Sequence, residues 1–211
     1  MDIGRSVKNE AILNNITPAQ ALELLKEGNK RFLSKDVVER DHDWHIRETR
    51  DSQHPFAFIL SCIDSRVLAS IIFDQGIGDI FVGRIGGSII NQDILGGMEY
   101  ACAVSGSKLI LVLGHTSCGA VKGAIDDVKL GNLTAALKPI KLAIAHTPVI
   151  DGEPRNSENL DFVNRIAEEN VKLSIEDIKS QSPVLLDLYN KGEIDIVGAM
   201  YNHATGKVRF L

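Results

Sequence analysis

The sequence predicts an α/β fold, a mainly parallel sheet with helices on both faces. Three observations carry that expectation. Short continuous apolar runs of strand length recur along the 211-residue chain, as buried parallel strands do. The stretches between them place apolar residues at helical spacing, so strands and helices alternate. The two motifs richest in reactive side chains each follow one of the apolar runs, and ligands of open α/β sheets gather at the carboxyl ends of strands.

The elements follow in order. Residues 1–15 contain no apolar stretch of signal-peptide type. Thr17-Pro18-Ala19-Gln20 reads as a helix start, with Thr17 as N-cap, proline at the first helical position and glutamine three after the cap. Ala21, Leu24, Leu25, Gly28 and Phe32 continue it at helical spacing. Residues 35–54 are polar and charged, with Trp44 as their largest apolar group, and are expected to be a connecting arm. The apolar runs are 55–61 (PFAFILS), 79–84 (DIFVGR), 108–113 (KLILVL) and 194–201 (IDIVGAMY). A turn at Ala204-Thr205-Gly206-Lys207 and the run 208–211 suggest a closing antiparallel edge strand. Helical patterns cover about 66–73, 92–105, 118–129, 133–146 and 157–180, and a last short helix opens at Ser182-Pro183. No internal repeat or low-complexity tract interrupts the chain, so residues 1–211 read as one domain.

Composition narrows the function classes. A formal charge of -5 argues against a nucleic-acid surface. No apolar run is long enough to span a bilayer. Three cysteines cannot all pair, and an odd count without a secretory signal fits a reducing, cytoplasmic setting. Cys102 lies in a helical run and reads as a small buried apolar side chain.

The chemistry concentrates in Cys62-Ile63-Asp64-Ser65-Arg66 and His115-Thr116-Ser117-Cys118-Gly119. Cys62, His115 and Cys118 offer two thiolates and one imidazole, a set that Zn²⁺ takes readily while keeping a fourth position free. Each residue alone is commonplace. Together, at the ends of two strands, they favour zinc over two buried thiols and a satisfied histidine. Asp64 and Arg66 are either a surface ion pair worth about 0–1 kcal/mol or a dyad in which Arg66 keeps Asp64 ionised and Asp64 orients a metal-activated water. Their closeness to a ligand favours the dyad, although Asp64 could instead become a fourth ligand. Two thiolates neutralise Zn²⁺, so its water should be less acidic than at a three-histidine site, where the pKa is about 7. His42, His45, His54, His146 and His203 have no ligand-type spacing.

These paired motifs, Cys-x-Asp-Ser-Arg and His-x-x-Cys-Gly, resemble those of the β-class carbonic anhydrases, and the resemblance runs from near Thr17 to near Gly206. It implies a mainly parallel four- or five-stranded sheet in a homodimer or homotetramer, with the N-terminal segment 1–54 laid on the partner. It implies zinc on Cys62, His115 and Cys118, the dyad Asp64 and Arg66, and reversible hydration of CO₂ to bicarbonate and a proton. Gln53 resembles a glutamine that reaches across to substrate, and Phe81 and Tyr100 fall where the family lines its apolar pocket. A backbone N–H at Gly119 is a candidate oxyanion donor. Ile59 stands where a self-regulating subtype needs a tryptophan, so the open form, with Asp64 off the metal, is expected. The chain departs from the family at Ile85-Gly86-Gly87-Ser88, where many members have Ala-Gly-Asn after the apolar residue. Gly86 and Ser88 could shape the pocket for a bulkier linear molecule, and the family includes carbonyl sulfide and carbon disulfide hydrolases. Carbonyl sulfide is therefore the alternative neutral linear substrate. A non-catalytic zinc module or redox sensor is a third reading, which needs a closed fourth position.

Overall fold

The computed structural model describes residues 10–211. Residues 1–9, part of the stretch read as free of a leader and of the 1–54 segment, lie outside the described residues. Helix α1 (Glu10–Asn15) precedes α2 (Pro18–Ser34), α3 (His42–Glu48) and strand β1 (Ala57–Ser61). Then come α4 (Ala69–Ile72), β2 (Ile80–Arg84), a 3-10 turn at Gly86–Ser88, α5 (Gln92–Glu99), a π-helical turn at Tyr100–Val104 and β3 (Leu109–His115). The chain ends with α6 (Gly119–Ile125), α7 (Gly131–Ala136), α8 (Lys138–His146), α9 (Leu160–Gln181), α10 (Pro183–Asn190), β4 (Asp195–Tyr201) and β5 (Val208–Phe210).

The five strands form one sheet in the order β2-β1-β3-β4-β5. The first four run parallel and β5 pairs antiparallel with β4, as the sequence predicts. Alternate residues of each strand face opposite sides, which divides the core in two. Phe58, Leu60, Ile110 and Val112 pack under α5, α6, α8, α9 and α10. Ala57, Ile59, Leu109, Leu111 and Leu113 pack under α1, α2 and α4. Every residue of β1 and β3 is buried, which is why both read as unbroken apolar runs.

The cap signals are realised. Gln20 N–H donates to Thr17 Oγ1 at 3.2 Å and Thr17 N–H donates to Gln20 Oε1 at 2.9 Å, closing a capping box. Ser182 caps α10 by accepting the Leu185 N–H. The C-terminal half of α2 locks onto its own chain. A Cβ at Gly28 would stand 1.8 Å from the Phe73 carbonyl oxygen, so only glycine allows this approach. Buried Asn29 donates to the carbonyls of Ile72 and Gly206 and accepts the Val208 N–H. One side chain thereby joins α2, α4 and the β4–β5 turn. Asp74 does the same for the arm, accepting from Arg31, Arg40 and the Val38 N–H.

The structure differs from the sequence reading in four places. The arm contains α3, capped by Asp41, which accepts the Trp44 N–H at 2.9 Å. The helical stretch 92–105 changes to π geometry from Tyr100. The stretch read as 118–129 ends at Ile125, ahead of Asp127 in the left-handed region. The stretch read as 133–146 is two helices, because Pro139 starts a new one.

Candidate metal centre

In the sheet register Ser61 lies level with Leu113 and with Arg84. Cys62, the next residue after β1, and His115, the last of β3, therefore emerge at the same end of the sheet. Cys118 stands three residues later, at the N-cap position of α6. Thr116 and Ser117 hold the turn between them. Thr116 N–H donates to the Tyr201 carbonyl, and Ser117, in the left-handed region, donates its N–H to Asn164 Oδ1 at 2.8 Å. The sulfurs of Cys62 and Cys118 and a ring nitrogen of His115 all lie within 4.8 Å of one another.

The donor chemistry fits a zinc ion. His115 Nδ1 faces the Thr116 carbonyl oxygen at 3.0 Å. A carbonyl only accepts, so Nδ1 carries the proton and Nε2 the lone pair. Nε2 is buried and finds no hydrogen-bond partner among the described residues, an arrangement costly unless something else fills the gap. Two buried thiols complete a set that suits Zn²⁺. Cys62 Sγ also accepts the Gly87 N–H at 3.4 Å. Gly87 needs to be glycine, since it has φ +76° and a Cβ would meet Ile140 at 2.6 Å. Buried Asn170, on α9, donates to the Gly87 carbonyl at 2.8 Å and fixes that turn.

Electrostatics distinguish the groups. The hydrogen bond from Cys118 is the main cause that pulls the Cys62 thiol well below its usual range, with help from His115 and the Gly87 N–H. Giving that bond, and burial, push Cys118 up. Cys102 has no such neighbour; it is buried as the sequence suggests, and burial alone pushes it up to about 12. Asp64 sits two residues beyond Cys62 and is locked by Arg66. Nε donates to Oδ1 at 3.0 Å, an Nη donates to Oδ2 at 2.8 Å, and the Arg66 N–H donates to Oδ1 at 3.0 Å. The Arg66 hydrogen bond holds the Asp64 carboxyl well below the usual carboxylate range. The Asp64 side chain is 15% exposed and the Arg66 side chain is 58% exposed.

Other predicted positions fall around this centre or away from it. Gly119 opens α6 beside Cys118, and a Cβ there would meet nothing within 4 Å. At Gly86 a Cβ would meet only Ala120, at 3.9 Å, so the position has room. Ser88, one residue past Gly87, is buried and donates to the Leu113 carbonyl at 3.0 Å, bracing β3. Phe81 and Tyr100 meet edge to face at 6.0 Å, and Phe81 lies three residues before the end of β2. Gln53 lies with Thr49, Ser52 and Gly78 in a shallow recess before β1, whereas Cys62 follows that strand's other end. A five-residue strand separates them by roughly 16 Å, so within one chain Gln53 does not join the cluster.

Two residues join the site without a sequence signal. Arg84, at the end of β2, donates to the Cys62 carbonyl at 3.1 Å and the Asp64 carbonyl at 2.7 Å, clamping the first motif. His203, just after β4, stacks at a tilt on His115 with ring centroids 4.7 Å apart, and its Nε2 lies 4.0 Å from Asp64 Oδ1. Burial, then the neighbouring His115 and Arg66, lower its pKa. Both residues sit at strand carboxyl ends, and that placement is the signal that could have found them.

The chain resembles known proteins over most of its length. The family model described as carbonic anhydrase matches residues 57–208. Carbonic anhydrase 2 of Mycobacterium tuberculosis is 34% identical over 92% of this chain and 92% of its own length. A carbonic anhydrase of Mycolicibacterium smegmatis is 32% identical over 92% of this chain and 93% of its own. Among solved structures, a β-carbonic anhydrase of Aspergillus fumigatus superposes with a TM-score of 0.70 at 26% identity, covering 92% of this chain and 89% of that one. One of two tetrameric β-carbonic anhydrases from Sordaria macrospora has the same fold, with a TM-score of 0.71 at 23% identity over 90% of this chain and 96% of its own. The chain belongs to the β-carbonic anhydrase family and is a lyase of the carbonic anhydrase class.

Proposed function

We propose that this chain catalyses the reversible hydration of CO₂ to bicarbonate and a proton, with zinc held by Cys62, His115 and Cys118. The observation that carries the reading is the unpartnered His115 Nε2 facing two buried thiols, beside a carboxylate locked by arginine. Bound there, zinc supplies Lewis acidity that makes water a nucleophile at neutral to alkaline pH.

The chain's own residues do the rest. Asp64 is ionised and acceptor-only, so it takes a hydrogen bond from the attacking water and turns a lone pair of that water towards the substrate carbon. Arg66 donates to both oxygens of Asp64 and keeps the carboxylate from swinging onto an ion held by the two thiolates. Arg84 fixes the backbone that carries both groups. The space beside Gly119, where a Cβ would meet nothing within 4 Å, leaves room for a small substrate whose developing oxyanion its N–H would meet as a donor. Gln53, Phe81 and Tyr100 complete the apolar, hydrogen-bonding pocket from a second copy of the chain. A homodimer or homotetramer is supported by the edge position of β2, where Val82 is exposed, by exposed Tyr100 and Val104 beside it, and by the tetrameric Sordaria relative. Among the described residues no helix is long and apolar enough to cross a membrane.

The test compares initial rates of CO₂ hydration and carbonyl sulfide hydrolysis on one zinc-loaded sample in mildly alkaline buffer. Fast hydration with little sulfide release is expected. Strong sulfide release with slow hydration would overturn the substrate assignment and make the open space at Gly86 the place where specificity is set.

A further inference from the structure

His203 is one of the least satisfied polar side chains among the described residues. Both of its ring nitrogens are buried and neither finds a hydrogen-bond partner among the described residues. A neutral imidazole offers one donor and one acceptor, and burying both unmet is costly. The ring is nevertheless held in place. The His203 N–H donates to Thr116 Oγ1 at 3.1 Å, and Tyr201 packs edge-on against the ring at 5.4 Å. Its other neighbour is His115, whose Nε2 is also unpartnered. Ligand atoms of Asp64, His115 and His203 all lie within 4.8 Å of one another.

We propose that Asp64, His115 and His203 form a second metal-binding position that shares His115 with the thiolate position. The inference rests on the assignment of Cys62, His115 and Cys118 as metal ligands. Its donor set is two imidazoles and one carboxylate, a combination that takes borderline divalent ions such as Co²⁺, Ni²⁺, Fe²⁺ and Zn²⁺. Because His115 Nδ1 is committed to the Thr116 carbonyl, only Nε2 is free to bind. One imidazole nitrogen binds one ion, so the two positions exclude each other. An ion held by the nitrogen and oxygen donors would take Asp64 away from substrate.

Co²⁺ is the probe, because thiolate ligation gives a near-ultraviolet charge-transfer band that nitrogen and oxygen ligation lacks. The full-length wild type should bind Co²⁺ with that band. The Cys62→Ala/Cys118→Ala variant should still bind one Co²⁺ per chain, more weakly and without the band, and adding His203→Ala should weaken that residual binding about tenfold or more. The Cys62→Ser/Cys118→Ser variant also removes both thiolates, keeps their volume in the core, and carries the same comparison with and without His203→Ala. A folded double-alanine variant that binds no Co²⁺, or residual binding indifferent to His203→Ala, would overturn the proposal while the wild-type band stands. A wild type without the band would instead overturn the underlying ligand assignment.

Discussion

Replacing Asp64 by asparagine separates stability from turnover. The change keeps shape and removes one charge. It also puts an amide NH₂ against a guanidinium that now donates to both carboxylate oxygens. The Arg66 side chain is 58% exposed, so solvent screens the pair and it adds little to folding. For a chain of this length that is a melting shift of about 2–4 °C at most. Turnover depends on Asp64 differently. The water must be held by an acceptor that cannot donate, and asparagine can present either group. Removing one preorganised electrostatic partner of this kind costs about 10²-fold or more in kcat, or about 2.7 kcal/mol of barrier. The assay is stopped-flow CO₂ hydration with a pH indicator, with zinc content and a melting curve taken on the same preparation. The expected result is full zinc content, a small melting shift and a hundredfold loss of kcat. Turnover within about twofold of wild type, with zinc retained, would refute the role given to Asp64. Loss of zinc would refute its placement off the ion held by the thiolates.

Other outcomes follow from single contacts. Cys62→Ser should lose zinc and activity together, read by metal analysis after dialysis; full retention would remove Cys62 from the ligand set. Asn29→Ala strips three hydrogen bonds from backbone groups at once, two of them buried and one half-buried, and should cost about 2–4 kcal/mol in urea unfolding, with a loss below 1 kcal/mol counting against the joint it is given. Gly28→Ala should be at least as damaging, since its Cβ would overlap the Phe73 carbonyl and neither backbone can yield. Asp74 gives a pH signature. Burial would raise its pKa, but hydrogen bonds from Arg40 and Arg31 more than offset this and the folded value is depressed. The unfolded carboxyl therefore binds protons first, at about 3.9, so its contribution is complete above that pH and is lost as pH falls through the folded value. Asp74→Asn should lower the urea midpoint at pH 7 and flatten its decline below pH 4; an unchanged acid slope would exclude Asp74 as its source.

What the sequence makes legible is whatever is decided locally. β1 and β3 stand out because full burial on both faces leaves no polar residue to interrupt them. The start of α2 stands out because a capping box is a contact between residues three apart. Helix α3 stays hidden because its one buried side chain is His45, so no apolar periodicity marks it. The ligand set is legible for the same local reason, as His115 and Cys118 share one turn and Cys62 sits beside Asp64 and Arg66. Arg84 and His203 are not, because what brings them in is register. Ser61 pairs with Arg84, and His115 pairs with Tyr201, which carries His203 to within ring contact of His115. All four parallel strands end on one side, and each delivers a polar group there: Cys62, Arg84, His115 and His203. In a parallel sheet the residues just past each strand form one list, however far apart they lie in the chain. Spacing within a motif reveals half of this centre, and the common level of the strand ends supplies the other half.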